Sequence, residues 1–77
     1  MSVAFVLIRV IPGKEQDVYN LVSTLKYVTE IHPILGEFDI IARIETEDLS
    51  KIGKLVIQDI RTISGVVDTK TLTEIKL

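Results

Sequence analysis

The fold is decided by the segment Val3-Ala4-Phe5-Val6-Leu7-Ile8-Arg9-Val10-Ile11. Its β-branched and aromatic residues suit a pleated strand. Both of its alternating sets are apolar, which indicates a strand that is covered on both faces. One set is Ala4, Val6, Ile8 and Val10, and the other contains Phe5, Leu7 and Ile11. Pro12-Gly13 then supplies the turn chemistry that ends the strand.

The next half of the sequence predicts a helix followed by two strands. Lys14 to about Lys26 is predicted as an amphipathic helix with one buried apolar stripe, because apolar residues recur at the i, i+3, i+4, i+7 spacing. The stripe consists of Val18, Leu21, Val22 and Leu25. Tyr27–Leu35 is predicted as a strand, and its Pro33 indicates either an edge strand or a bulge at that position. Gly36-Glu37 predicts a two-residue hairpin turn into a third strand, Phe38–Glu45. In that strand Phe38, Ile40, Ala42 and Ile44 share one apolar face.

A second helix is predicted from the Thr46-Glu47-Asp48 cap to about Ile63, where Ser64-Gly65 stops it. Val66–Leu77 is the last predicted strand. The order β-α-β-β-α-β predicts an α+β, ferredoxin-like fold. Its four-stranded antiparallel sheet carries both helices on one face, with the first and third strands in the centre. We expect residues 1–77 to form a single domain.

Two helices can cover only one face of such a sheet, yet the central strands are apolar on both sides. The chain has 77 residues, 47% of them hydrophobic, and a mean hydropathy of +0.37. We expect about eight to ten apolar side chains on the open face, worth on the order of 12–30 kcal/mol when buried. Association costs roughly 4–15 kcal/mol. The sequence therefore predicts an obligate dimer that stacks sheet on sheet.

The charge pattern and the absence of cysteine exclude several classes of function. The formal net charge is −2, with acids and bases interspersed, so strong binding to nucleic-acid phosphates is not expected. Without cysteine there is no disulfide and no thiolate zinc site. The apolar run Val3–Ile8 is too short for a signal segment or a membrane span. We therefore expect a cytoplasmic protein that binds neither DNA directly nor a membrane.

Residues suited to catalysis are sparse. His32 is the only histidine and stands beside Pro33, which favours a structural role. Ser23, Ser50 and Ser64 belong to no nucleophile motif, and the glycines form no phosphate loop. We therefore expect a protein that is not an enzyme and uses no cofactor or metal.

Two sets of polar residues are candidates for ligand binding. Gly36-Glu37-Phe38-Asp39 combines a flexible turn with carboxylates, which could hold the ammonium group of an amino acid. Alternatively, Asp39 only ties down the turn through backbone N–H groups. Thr69, Thr71 and Thr73 lie on one face of the last strand and could line a polar cleft. Threonine is equally a good strand former on a half-exposed face.

At these positions the chain resembles the C-terminal ligand-binding (RAM) domain of the Lrp/AsnC transcription regulators. The similarity spans all 77 residues, in order and spacing. The residues that carry it are Ala4-Phe5-Val6-Leu7-Ile8, Pro12-Gly13, Gly36-Glu37-Phe38-Asp39-Ile40 and Ser64-Gly65-Val66-Val67-Asp68-Thr69-Lys70-Thr71.

The resemblance implies sheet-to-sheet dimers that assemble into tetramers, octamers or rings. It also implies a free amino acid, or a similar metabolite, bound in a cleft between dimers. By this resemblance, the ligand loop is Gly36, Glu37 and Asp39, the polar positions on the last strand are Thr69 and Thr71, and Ser64 precedes them.

The family's regulators carry an N-terminal helix-turn-helix domain, whereas here the similarity begins at Val3. We therefore expect a stand-alone form, which could co-assemble with full-length Lrp/AsnC regulators or modulate an enzyme. Three alternatives stay open: a small dimeric α+β barrel enzyme of the monooxygenase kind, an ACT domain, and a purely structural assembly domain. An ACT domain would bind its ligand near Pro12-Gly13.

Overall fold

The computed structural model describes residues 1–77 and has the predicted element order. Strand β1 spans Ser2–Val10, helix α1 Glu15–Ser23, strand β2 Val28–Pro33 and strand β3 Ile40–Thr46. Helix α2 begins at Leu49 as an α-helix, continues from Val56 to Ile60 as a π-helical turn, and is followed by strand β4, Val66–Thr73. Neither helix is long and apolar enough to cross a membrane.

The sheet is antiparallel throughout, in the order β2-β3-β1-β4. The prediction that the first and third strands are central is thereby confirmed. Strand β2 lies at an edge, which is one of the two outcomes predicted from Pro33, because a proline cannot donate a ladder hydrogen bond. The register shift of the β2–β3 ladder lies between Val28 and Glu30 and not at Pro33. The split βαββαβ, ferredoxin-like fold is confirmed as well.

The core lies between the helices and one face of the sheet, and it is built only from alanine, valine and isoleucine. The central strands contribute every second residue, because successive side chains of a strand point to opposite faces. Helix α1 adds Val18 and Val22, and helix α2 adds Ile52, Val56 and Ile60. The core residues from the strands are Ala4, Val6, Ile8, Val10, Ile40, Ala42 and Ile44.

Both helices differ from their predicted extents. Helix α1 is shorter than the predicted Lys14–Lys26, and its Leu21 is 52% exposed rather than part of the buried stripe. Helix α2 widens into the π-helical turn, where the Arg61 N–H donates to the Val56 carbonyl at 2.9 Å. The Tyr27 hydroxyl donates to Asp59 Oδ2 at 2.8 Å, which links this turn to the start of β2.

The connection between β2 and β3 is also longer than predicted. It is a six-residue loop, residues 34–39, and not a two-residue hairpin at Gly36-Glu37. The loop is closed by the Ile34 N–H, which donates to the Asp39 carbonyl at 2.9 Å. Strand β3 therefore begins at Ile40 and excludes Phe38, whose predicted place on the apolar strand face was wrong.

The open face of the sheet is less apolar than predicted. The apolar side chains that the strand register places on it number five and lie in its middle: Val3, Phe5, Leu7, Ile41 and Leu72. The expectation of eight to ten was wrong, because the edge strands present charged and polar groups there, including Glu30 and His32 from β2 and Asp68 and Lys70 from β4. In a two-fold dimer ten such side chains would be buried, worth about 15–30 kcal/mol if all were fully exposed beforehand. Because most of them are already partly covered within one chain, the gain is smaller and comparable to the association cost of roughly 4–15 kcal/mol.

Candidate functional site

The predicted ligand loop is anchored on the C-terminal end of β1. The Asp39 N–H donates to the Ile8 carbonyl at 2.9 Å, and Asp39 Oδ2 accepts a hydrogen bond from the Val10 N–H at 2.8 Å. The β1–β3 ladder ends at Ile8, so the Val10 N–H has no backbone partner on β3. The Asp39 carboxylate satisfies this donor instead. Asp39 therefore does tie down the turn, and its second carboxylate oxygen is left without a hydrogen bond within the chain.

The turn before β4 is fixed at the same place. The Ile11 N–H donates to the Gly65 carbonyl at 2.9 Å, which brings the exposed Ser64 next to the end of β1. Gly65 has a φ of +102°, and a Cβ at this position would lie 2.9 Å from the Cβ of Lys14. Only glycine fits here without strain, because the backbone is left-handed and the neighbouring side chain leaves no room.

Arg9 connects the ligand loop to β4 on the open face of the sheet. Its Nη2 lies 3.7 Å from Glu37 Oε1 and 3.7 Å from Asp68 Oδ2. The guanidinium carbon is 5.1 Å from the centre of the Phe38 ring, within cation–π range. Glu37 is thus placed on the open face, beside the start of β4.

Thr69 and Thr71 of β4 lie on the face of the sheet that carries the helices, opposite the open face. Thr69 is paired with Ile8 and Thr71 with Val6, and residues paired across an antiparallel ladder share a face. Because Ile8 and Val6 are buried beneath the helices, both threonines lie on the helix side of the sheet. The prediction that Thr69, Thr71 and Thr73 share one face is confirmed.

The six predicted site residues therefore do not line one pocket within a single chain. Asp39, Ser64 and Thr69 surround the end of β1, and Thr71 is two residues further along β4. Glu37 is separated from the threonines by the sheet itself. Gly36, with φ of +150°, is exposed at the tip of the loop.

A pocket of about 140 Å³ lies between α1 and the adjoining ends of β2 and β3. Its lining is formed by Glu15, Gln16, Tyr19, Pro33, Asp39 and Ile40. Of these, only Asp39 was predicted as a site residue. The sequence did carry a signal for the α1 members, since positions 15, 16 and 19 lie on one side of a helix.

The polar groups of this pocket are mainly acceptors. Glu15 Oε1 accepts a hydrogen bond from the Gly13 N–H at 2.8 Å, and the Gln16 amide donates to Asn20 Oδ1 at 2.8 Å. Two carboxylates, those of Glu15 and Asp39, face a space that no basic residue lines.

Comparison with known proteins shows which family the chain belongs to. Residues 3–76 match the family described as the Lrp/AsnC ligand binding domain, and the chain belongs to this family. It is 34% identical over 74 residues to an uncharacterised HTH-type transcriptional regulator of Pyrococcus furiosus. That match covers 92% of this chain but 49% of the regulator, so the chain spans about half the length of the curated relatives it matches.

Solved structures share the fold over the whole chain. The crystal structure of TTHA0845 from Thermus thermophilus has a TM-score of 0.94 and 30% identity, and the alignment covers 100% of this chain and 96% of that one. Escherichia coli AsnC has a TM-score of 0.90 and 19% identity, with 99% and 52% of the two chains covered. The Pyrococcus furiosus relative is described as a transcriptional regulator, and the family model that matches is that of the Lrp/AsnC ligand binding domain.

Proposed function

We propose that this domain binds a free amino acid, or a similar small metabolite, without catalysing a reaction on it. The observation that carries the proposal is the family match over residues 3–76. A structural neighbour from Neisseria meningitidis, with a TM-score of 0.86 and 17% identity, is a transcriptional regulator solved as a complex with L-Met. The space where an α+β barrel enzyme would hold its substrate, between helices and sheet, is filled here by a core of 12 apolar residues.

The binding residues that we propose are Gly36, Glu37, Asp39, Ser64, Thr69 and Thr71. Because the sheet separates Glu37 from the two threonines, one copy cannot present all six to one ligand. A second copy packed against the end of β1 would complete the site. This geometry supports a link between effector binding and assembly.

We propose that assembly begins with a dimer formed through the open face of the sheet and extends to tetramers, octamers or rings. The five central apolar side chains of that face would be covered by those of the second copy. The surrounding charges of both signs, such as Arg43 and Glu45, allow a two-fold partner to match them. Co-assembly with full-length Lrp/AsnC regulators would use the same surface.

A thermal-shift screen with the twenty amino acids tests the effector proposal. A ligand at about 100 times its dissociation constant should stabilise the domain by about 2.7 kcal/mol. Asp39→Asn should weaken this response, because the amide still accepts from the Val10 N–H but lacks the charge that holds an ammonium group. Asp17→Asn, on an exposed position of α1 outside the pocket, is the matched control.

If none of the amino acids raises the melting temperature, the amino-acid proposal is wrong and assembly becomes the better supported function. An unchanged response in Asp39→Asn would remove Asp39 from the site.

A further inference from the structure

The pocket between α1 and the β2–β3 loop holds two negative charges and no positive one. Glu15 reaches it from the first turn of α1, and Asp39 from the end of the loop. Each carboxylate has one oxygen held by a backbone N–H, of Gly13 and of Val10 respectively. Neither takes part in any of the ion pairs of the chain, which use other acids. Each therefore keeps a free oxygen for a ligand.

The remaining lining suits a short aliphatic chain. The exposed Pro33 provides an apolar wall, and the partly buried Tyr19 adds an aromatic ring and a hydroxyl. Ile40 borders the pocket but is a buried core residue. Aromatic rings and carboxylates together are the groups that bind ammonium ions in proteins. A volume of about 140 Å³ limits the occupant to a small molecule or one end of a larger one.

We infer that the effector is cationic and that this pocket binds its side-chain ammonium group. The chemical class is an aliphatic amine, as in the basic amino acids and the diamines. The ammonium would donate to the free oxygens of Glu15 and Asp39, and its methylene chain would lie against Pro33 and the ring of Tyr19. An acidic effector would be repelled by the same two carboxylates. This inference rests on the proposed function and specifies the ligand class for it.

Isothermal titration calorimetry with matched ligands tests whether the effector is cationic. We expect binding of L-lysine, L-ornithine and 1,5-diaminopentane. L-Norleucine has the aliphatic chain of lysine without the ammonium and should bind roughly 10- to 100-fold more weakly, because it lacks charge-assisted hydrogen bonds. L-Glutamate should not bind. Lysine affinity should fall as salt is added, since the attraction is between charges.

Two isosteric variants test the pocket. Glu15→Gln and Asp39→Asn each keep an oxygen that can accept the structural hydrogen bond from the backbone, so the fold should be retained. Each removes one charge, and each should weaken lysine binding by about tenfold or more. Asp17→Asn removes a charge from the same turn of α1 outside the pocket and should bind lysine as the wild type does. Circular dichroism melts confirm that each variant is folded.

The outcomes separate this inference from the proposed function. If norleucine or another neutral amino acid binds as tightly as lysine, the cationic class is wrong and the effector proposal stands. Asp39→Asn is expected to weaken binding under both proposals, so Glu15→Gln separates them. If lysine binds to the wild type and Glu15→Gln binds it normally, the pocket is wrong. If no amino acid binds at all, the proposed function itself is overturned.

Discussion

The substitution Leu7→Glu tests whether the open face of the sheet is an interface. Leu7 lies in the middle of that face, paired with Ile41 on one side and Lys70 on the other. In a sheet-on-sheet dimer, both copies of Leu7 would be removed from water. A glutamate there would lose its hydration in the interface, and the cross-strand Lys70 would offset only part of that cost.

Two effects contribute to the expected loss of dimer stability. A fully buried leucine is worth about 1.5–3 kcal/mol, but Leu7 is already partly covered by its neighbours, so the lost burial is below about 1 kcal/mol in each copy. Desolvating a carboxylate costs several kcal/mol per ion and therefore dominates. A total loss of at least about 3 kcal/mol raises the dissociation constant of the dimer about 100-fold. Leu7→Ala should weaken the dimer by about tenfold or less.

Sedimentation velocity over a wide range of protein concentrations measures the stability of the dimer. Burial of ten apolar side chains, five from each copy and most of them already partly covered, roughly balances the cost of association. We therefore expect the wild type to show a monomer–dimer equilibrium and not an irreversible dimer. Leu21→Glu, at a leucine of α1 that is 52% exposed, should leave the equilibrium unchanged. A folded wild type that stays monomeric at every concentration would refute the reasoning, and so would a Leu7→Glu variant that dimerises normally.

Two further predictions concern stability. Gly65→Ala should lower the free energy of unfolding in urea by more than about 1 kcal/mol, because the φ of Gly65 is +102° and the new Cβ would lie 2.9 Å from that of Lys14. The control Gly53→Ala, in open space on α2, should be neutral or stabilising by up to about 1 kcal/mol. Equal effects of the two substitutions would contradict this reasoning. Burial, and then the hydrogen bond to Asp59, raise the pKa of Tyr27 above its ordinary 10.0. The stability that Tyr27 contributes is therefore complete below pH 10.0 and declines above it, as the unfolded phenol ionises. Tyr27→Phe should lower the free energy of unfolding by about 0.5–1.5 kcal/mol at neutral pH. The difference in unfolding free energy between wild type and variant should become smaller in unfolding curves measured above pH 10.0. A difference that stays constant with pH would count against the hydrogen bond.

The sequence was least informative at the loop between β2 and β3. Gly36-Glu37 has the composition of a two-residue turn, and local propensity alone favours that geometry. The observed loop depends on two hydrogen bonds to residues about thirty positions away in the chain: the Asp39 N–H donates to the Ile8 carbonyl, and the Asp39 carboxylate accepts from the Val10 N–H. The pocket is missed for the same reason, because Glu15 and Asp39 meet only after α1 packs on the sheet.

The size of the open-face apolar cluster was overestimated for a related reason. The alternation in β1 correctly places Phe5 and Leu7 opposite the helices, yet it does not show which residues of the edge strands lie beside them. That depends on register, which pairs Phe5 with Leu72 but Leu7 with Lys70. A shift of one residue in β4 would reverse which of its side chains face the helices.

By itself, the sequence determined the order of elements, the central position of β1 and β3, and which of their side chains form the core. These follow from the two-residue period of a strand and the 3.6-residue period of a helix, which are properties of the local backbone. Only the tertiary structure decided that Thr69 and Glu37 lie on opposite faces and that Glu15 joins Asp39 in one pocket. Such contacts join residues far apart in sequence, and strand register and helix packing fix them only when the whole chain folds.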